Sequence, residues 1–207
     1  GLAMPPKLSI KNVIQVLKRP EWALKTLING QPSFEFLKPY MPKSLNLKQL
    51  AKFMDSTFSG RLNEEKIKKL RDSWKGKLVI KGTESIDDIE KAYKLGVDGV
   101  IISNHGGRQV DVGQATVDSL KAIAPIYKGK LKIMMDSGIR GGADVARVLG
   151  VGADFTFLGR SFMYGVSALG SKGGPHTISV IKKQLKQIME QLGCSKIEDF
   201  VDTRIYS

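Results

Sequence analysis

The sequence predicts an α/β fold: four consecutive strand–helix units forming half of a parallel (β/α)8 barrel. Three observations predict it. Short apolar runs that do not alternate recur between residues 77 and 160, as strands buried on both faces require. Stretches with helical spacing separate them, which makes the strands parallel neighbours with helices outside. The runs end at Lys81, Ser103, Asp136 and Gly159, with gaps of 22, 33 and 23 residues. A barrel of eight such units takes about 250 residues, so four make a half with two open sheet edges.

Each element follows from its residues. "KLVIKG" (77–82) is a strand closed by a glycine. "SIDDIEKAYKLG" (85–96) is a helix with Ser85 as N-cap, Ile86, Ile89, Ala92 and Tyr93 on one face, and Gly96 as its stop. "DGVIIS" (98–103) is a strand, "ATVDSLKAIAPIY" (115–127) a helix, and "KLKIMMDSG" (130–138) a strand. "GADVARVLGVG" (142–152) is a helix, "DFTFLGR" (154–160) a strand, and "TISVIKKQLKQIMEQLG" (177–193) a long amphipathic helix.

Residues 1–75 differ and read as a mostly helical insertion, set apart from the half-barrel of 76–207. Prolines 5, 6, 20, 32, 39 and 42 are scattered through them, and no strand is convincing. Residues 10–30 read as two short helices broken at Pro20, and 63–74 as a helix leading into the first strand.

Composition bounds the class. The 207 residues are 42% hydrophobic and 26% charged, which fits a folded protein of one or two domains. A single cysteine, Cys194, excludes an internal disulfide, makes a cysteine metal site improbable and suits a reducing compartment. No apolar run approaches the roughly 20 residues that span a bilayer, and no signal-peptide pattern stands at the start. The first residue is Gly1, not Met, which leaves a cloning scar or a piece of a longer protein open. Net charge is +13, and residues 1–75 carry 15 basic against 6 acidic residues. Such a bias suits an anionic surface, or simply a solvated lysine-rich one. No nucleic-acid motif accompanies it.

Function in a parallel barrel sits where strands end and loops begin. Those ends present Lys81; Ser103, His105 and Arg108; Asp136, Gly138 and Arg140; and Gly159 and Arg160. Glycines before a helix, with arginines beside them, suit a phosphate; the alternative is helix caps and surface ion pairs. A lysine in the mouth needs an anionic or polar partner, Asp136 being one candidate. A histidine near an arginine suits a small molecule that carries a carboxylate and loses a proton; the alternative is a histidine that only caps its loop. No metal site is expected.

"VIKG" (79–82), "SNHGGRQVD" (103–111) and "DSGIRGGADVARVLGVGADFTFLGR" (136–160) together closely resemble the FMN-dependent L-2-hydroxy acid dehydrogenases and oxidases. "RPEWALKTLINGQP" (19–32) is similar to the segment that bacterial respiratory members carry before their fifth strand. The resemblance implies the C-terminal half of a TIM barrel, strands five to eight, with FMN as cofactor. It implies that His105 takes the substrate proton and Arg108 grips its carboxylate. Lys81 would face the flavin N1–C2=O edge and Ser103 would touch the flavin. Asp136, Gly138, Arg140, Gly159 and Arg160 would hold the ribityl and phosphate end, Asp136 through ribityl hydroxyls because two anions repel. The implied reaction is oxidation of L-lactate to pyruvate, with electrons going to a respiratory acceptor. The rivals are an oxygen-using hydroxy acid oxidase and an inactive half-barrel that self-associates. The implied partners are a small 2-hydroxy acid, the missing first half of the barrel, further copies in a homo-oligomer, and an anionic membrane surface. The expected place is cytoplasmic, peripheral on the inner membrane.

Overall fold

A computed structural model describes residues 9–30, 34–41, 47–57, 62–109, 111–201 and 203. Pro5, Pro6, Pro32, Pro42 and Val110, which figure in the sequence expectations, lie outside the described residues. The chain forms two compact units, Gly1–Arg61 and Leu62–Ser207.

The first unit holds α1 (Ile10–Leu17), α2 (Pro20–Asn29), a 3-10 turn at Glu35–Tyr40 and α3 (Leu47–Thr57). Ser9 caps α1 by accepting the Asn12 N–H at 3.2 Å. Pro20 breaks the run as expected and stands at the first position of α2, where its missing N–H costs nothing. Trp22, Leu24, Leu27, Ile28, Phe34 and Phe36 are exposed, Phe36 by 94%.

The second unit begins with α4 (Glu64–Ser73) and continues with β1 (Val79–Lys81), α5 (Ile86–Lys94), β2 (Gly99–Ile102) and α6 (Thr116–Tyr127). Then come β3 (Lys132–Met135), α7 (Gly142–Val151), β4 (Phe155–Thr156), α8 (Arg160–Leu169) and α9 (Gly173–Leu192). The four strands form one parallel sheet in the order β1-β2-β3-β4. Among the described residues no strand precedes Val79.

Register explains the layers. Ile80, Val100 and Ile133 stand in one row, with Ile102 and Met135 on the same face. These side chains are buried in a common core with Ile89 of α5, Leu120 and Ile123 of α6, and Val145 and Leu149 of α7. Val79, Lys81, Ile101, Met134 and Phe155 alternate onto the opposite face. There Val79 and Phe155 are exposed. That face corresponds to the lumen of a closed barrel.

The N-terminal ends of the strands are tied by aspartates. Asp98 accepts the Leu78 N–H at 2.9 Å and pairs with Lys77 and Arg71. Asp154 accepts the Ile133 N–H at 2.8 Å and pairs with Lys132. Arg71 of α4 also donates to the carbonyls of Gly76 and Gly96, which fixes α4 to the start of β1 and β2.

Two expectations need correction. The stretch 154–160 is strand only at Phe155–Thr156, because β4 pairs with β3 alone and the ladder ends at Met135↔Thr156. Arg160 is therefore the first residue of α8, not the tip of a strand. The last long helix starts at Gly173, not residue 177, since Pro175 sits in its first turn, where proline is tolerated. Helices α8 and α9 cross at Gly165 and Gly173; a Cβ on Gly173 would lie 2.2 Å from the Gly165 carbonyl oxygen.

Candidate active site

The carboxyl ends of the sheet open onto a cleft of about 610 Å³. His105, Arg108, Asp136, Gly138, Arg140, Gly159 and Arg160 all line it. Lys81 and Ser103 adjoin it through Asp136 and the β2 end. The Lys81 ammonium pairs closely with the Asp136 carboxylate and donates to Ser103 Oγ at 2.9 Å. All nine sequence candidates thus fall in one connected neighbourhood. Lys81 takes the partner weighed for it from sequence, and its charge is thereby held at the mouth.

His105 opens a short 3-10 turn, His105–Gly107, directly after β2. Ser103 Oγ accepts the His105 N–H at 3.2 Å, and Asn104 Oδ1 accepts the N–H groups of Gly106 and Gly107. His105 has φ 56°, in the left-handed region that few residues other than glycine adopt. Gly106 must be glycine twice over: its φ is 68°, and a Cβ would meet the Arg160 guanidinium at 3.2 Å. Arg160 donates to the Gly106 carbonyl at 2.8 Å, so the fourth strand-to-helix loop holds the turn that carries the histidine. The imidazole-bearing turn and the Arg160 guanidinium face the same cleft.

Electrostatics favour an anion. Among the described residues Arg108, Arg140 and Arg160 have no ion-pair partner, which leaves their positive charge to the cleft. Burial raises the Asp136 carboxyl, but hydrogen bonds from Lys81, Ser103 and Ser137 outweigh it, so it titrates below its ordinary value. Asp136 is thus an anion already neutralised by Lys81.

The two helix starts in the site are not equivalent. At α7, Asp144 Oδ2 accepts the Arg140 and Gly141 N–H groups, and Gln184 Oε1 accepts that of Gly142. That end is occupied by the chain's own side chains. At α8 no side chain caps the first turn, and no acidic residue stands in it. The α8 start, with Arg160 upon it, is the helix end that can receive a phosphate. Ser161 Oγ donates to the Arg140 carbonyl at 2.7 Å and draws the Arg140 loop to it. A Cβ on Gly138 or Gly159 would meet nothing within 4 Å, so both leave open room beside the guanidiniums.

Sequence reasoning missed Ser137. Its hydroxyl donates to Asp136 Oδ1 at 2.8 Å and accepts the Gly106 N–H at 3.0 Å. A serine between an aspartate and a glycine carries no spacing signal.

Comparison with known proteins decides the family. The model of the FMN-dependent dehydrogenases matches residues 1–207. The chain belongs to the FMN-dependent dehydrogenase family. FMN is the cofactor of that family, and its members oxidise 2-hydroxy acids. The chain is 35% identical over 195 residues to an L-lactate dehydrogenase of Vibrio cholerae serotype O1, covering 94% of this chain and 52% of that one. It is 32% identical over 203 residues to an L-lactate dehydrogenase of Bartonella quintana, covering 98% and 53%. Among solved structures, the monotopic membrane protein (S)-mandelate dehydrogenase matches with TM-score 0.85 and 31% identity, over 95% of this chain and 52% of that one. A flavocytochrome b2 matches with TM-score 0.65 and 35% identity, over 71% and 41%. The chain spans about half the length of the curated relatives it matches. Its α/β fold corresponds to half of an FMN-dependent dehydrogenase barrel. The residues fit the anionic end of FMN: unpaired guanidiniums, an uncapped helix start and open room at two glycines.

Proposed function

We infer that the chain is the proton-accepting and phosphate-binding half of an enzyme that oxidises L-lactate to pyruvate and passes the electrons to a respiratory acceptor. The observation that carries this reading is the shared cleft, where His105 and Arg108 stand beside the cationic start of α8. FMN, when bound, supplies the two-electron acceptor. His105 takes the proton that the substrate loses as its 2-hydroxyl carbon becomes a carbonyl. Arg108 grips the substrate carboxylate through its planar fork. Lys81, held by Asp136 and Ser103, would offer its ammonium as a hydrogen-bond donor to the flavin, and Ser103 would contact the flavin beside it. Asp136 would accept from ribityl hydroxyls, and Gly138, Arg140, Gly159 and Arg160 would hold the phosphate.

Relatives named L-lactate dehydrogenase support lactate as substrate. Because the chain spans about half of them, the full pocket also needs four further βα units that cover the lumenal face, and activity is measured on the barrel so completed. A panel of L-lactate, glycolate and (S)-mandelate, run with and without oxygen, tests the assignment. The expected result is the highest kcat/KM with L-lactate, unaltered by removing oxygen. Turnover that depends on oxygen, or that favours another acid, contradicts it.

The first unit is the membrane-facing part. Its exposed Trp22, Leu24, Leu27, Ile28, Phe34 and Phe36, among many lysines, suit the headgroup boundary of an anionic bilayer. Among the described residues no helix is long and apolar enough to cross a membrane, so contact would be peripheral. The likeness to a monotopic membrane protein supports this. In co-sedimentation the chain should bind anionic phospholipid vesicles and not zwitterionic ones, and Trp22→Ala with Phe36→Ala should abolish binding. Equal partition with both lipids contradicts the reading.

A further inference from the structure

We propose that Ser137 is a positioning residue for the histidine: its hydroxyl bridges the Asp136 carboxylate and the Gly106 amide, and so holds the His105–Gly107 turn in place. The inference rests on reading His105 as the proton acceptor.

Among the described residues only two non-glycine residues have positive φ, His105 at 56° and Ser137 at 72°. They lie at the ends of neighbouring strands and are joined through one hydroxyl. Ser137 Oγ donates to Asp136 Oδ1 at 2.8 Å and accepts the Gly106 N–H at 3.0 Å. The other Asp136 oxygen, Oδ2, is held by Lys81. A continuous chain therefore runs from ammonium to carboxylate, hydroxyl, amide and histidine turn. The carboxylate polarises the hydroxyl, which makes it a better acceptor for the amide.

Strain makes the case. A glycine at residue 137 would adopt φ 72° without penalty, and serine does not. A serine stands at a position where its backbone is disfavoured, and the hydroxyl is what a glycine would lack. Thr116 Oγ1 donates to the Asp136 carbonyl at 3.1 Å and fixes that backbone independently of the hydroxyl. The hydroxyl thus acts on the histidine turn rather than on the β3 end that bears it.

Ser137→Gly and Ser137→Ala separate the roles. In the glycine variant the thermal midpoint should stay or rise, because strain is relieved. Exchange of the Gly106 amide should nonetheless quicken, by less than the roughly tenfold of an unshared hydrogen bond because Asn104 Oδ1 still accepts it. The His105 ring resonance, assigned as the one that remains in His176→Gln, should move toward that of an unstructured histidine. In a preparation that turns over hydroxy acid, kcat should fall while KM holds, since Arg108 is untouched. The alanine variant, which keeps the strain and lacks the hydroxyl, should show the same exchange and resonance changes with a lower midpoint. Unchanged Gly106 exchange and an unmoved His105 resonance in Ser137→Gly overturn the proposal. So does a midpoint as low as that of Ser137→Ala, because the hydroxyl would then serve stability. These readouts need no turnover, so failure of the lactate assignment stays distinct from failure of this one.

Discussion

Arg160 stands at the first position of α8 and reaches across the cleft to the Gly106 carbonyl at 2.8 Å. One nitrogen of its fork is engaged there, and the rest of the guanidinium remains for an anion. A lysine would keep the charge and lose the planar fork. Arg160→Lys should weaken FMN binding by about ten- to a hundredfold, the worth of one charged hydrogen bond. Binding of riboflavin, which has no phosphate, should barely change. Fluorescence titration with both flavins measures this, and equal losses for the two would move Arg160 away from the phosphate. At this scale the sequence was informative where a polar residue interrupts an apolar run. Lys81, Ser103 and Asp136 stand out in that way, and His105 and Arg108 follow within the loop after Ser103. Ser137 and Asn104 do not, because their roles depend on backbone angles and on a loop folding back, neither of which spacing reveals.

Elements are fixed mainly from the end of the sheet remote from the site. Asp98 ties the starts of β1 and β2 together through the Lys77 ammonium, the Leu78 amide and the Arg71 guanidinium. Hydrogen bonds from Lys77 and the Leu78 amide chiefly hold its carboxyl down to about 2, against the opposing effect of burial. The folded value lies below the ordinary 3.8, so this stabilisation is fully present above about pH 4. It is lost as pH falls through about 2. Asp98→Asn should lower the thermal midpoint at neutral pH and flatten its fall between about pH 4 and pH 2. A parallel acid limb in variant and parent would mean that Asp98 carries none of it. Most elements were legible because caps and periodicity agree: Ser85 does cap α5, accepting the Asp88 N–H at 3.1 Å. Helix α8 was not. Its stretch contains Gly165, ends at Gly170 and follows an apolar run that reads as strand. The close crossing on Gly165 and Gly173 is a tertiary fact that makes glycine favourable inside a helix.

At the scale of the molecule, the described helices of the second unit cover one face of its sheet. Helices α5, α6 and α7 bury Ile80, Val100, Ile102, Ile133 and Met135, while Val79 and Phe155 on the opposite face stand open. The half-barrel was legible from four βα units and their spacing, since continuous apolar runs report strands that expect cover on both sides. Spacing alone cannot say what closes the open side, because the residues that would do so are not in these four units. The other half of the barrel should complete a pocket whose acid–base chemistry already resides in these four units. The most direct measurement is anaerobic addition of L-lactate to the FMN-loaded complete barrel, with this half either parent or His105→Ala, followed by visible absorbance. The parent should bleach and release pyruvate in equal amount, while the variant retains FMN and stays yellow. A His105→Ala protein that bleaches at the parental rate would contradict this.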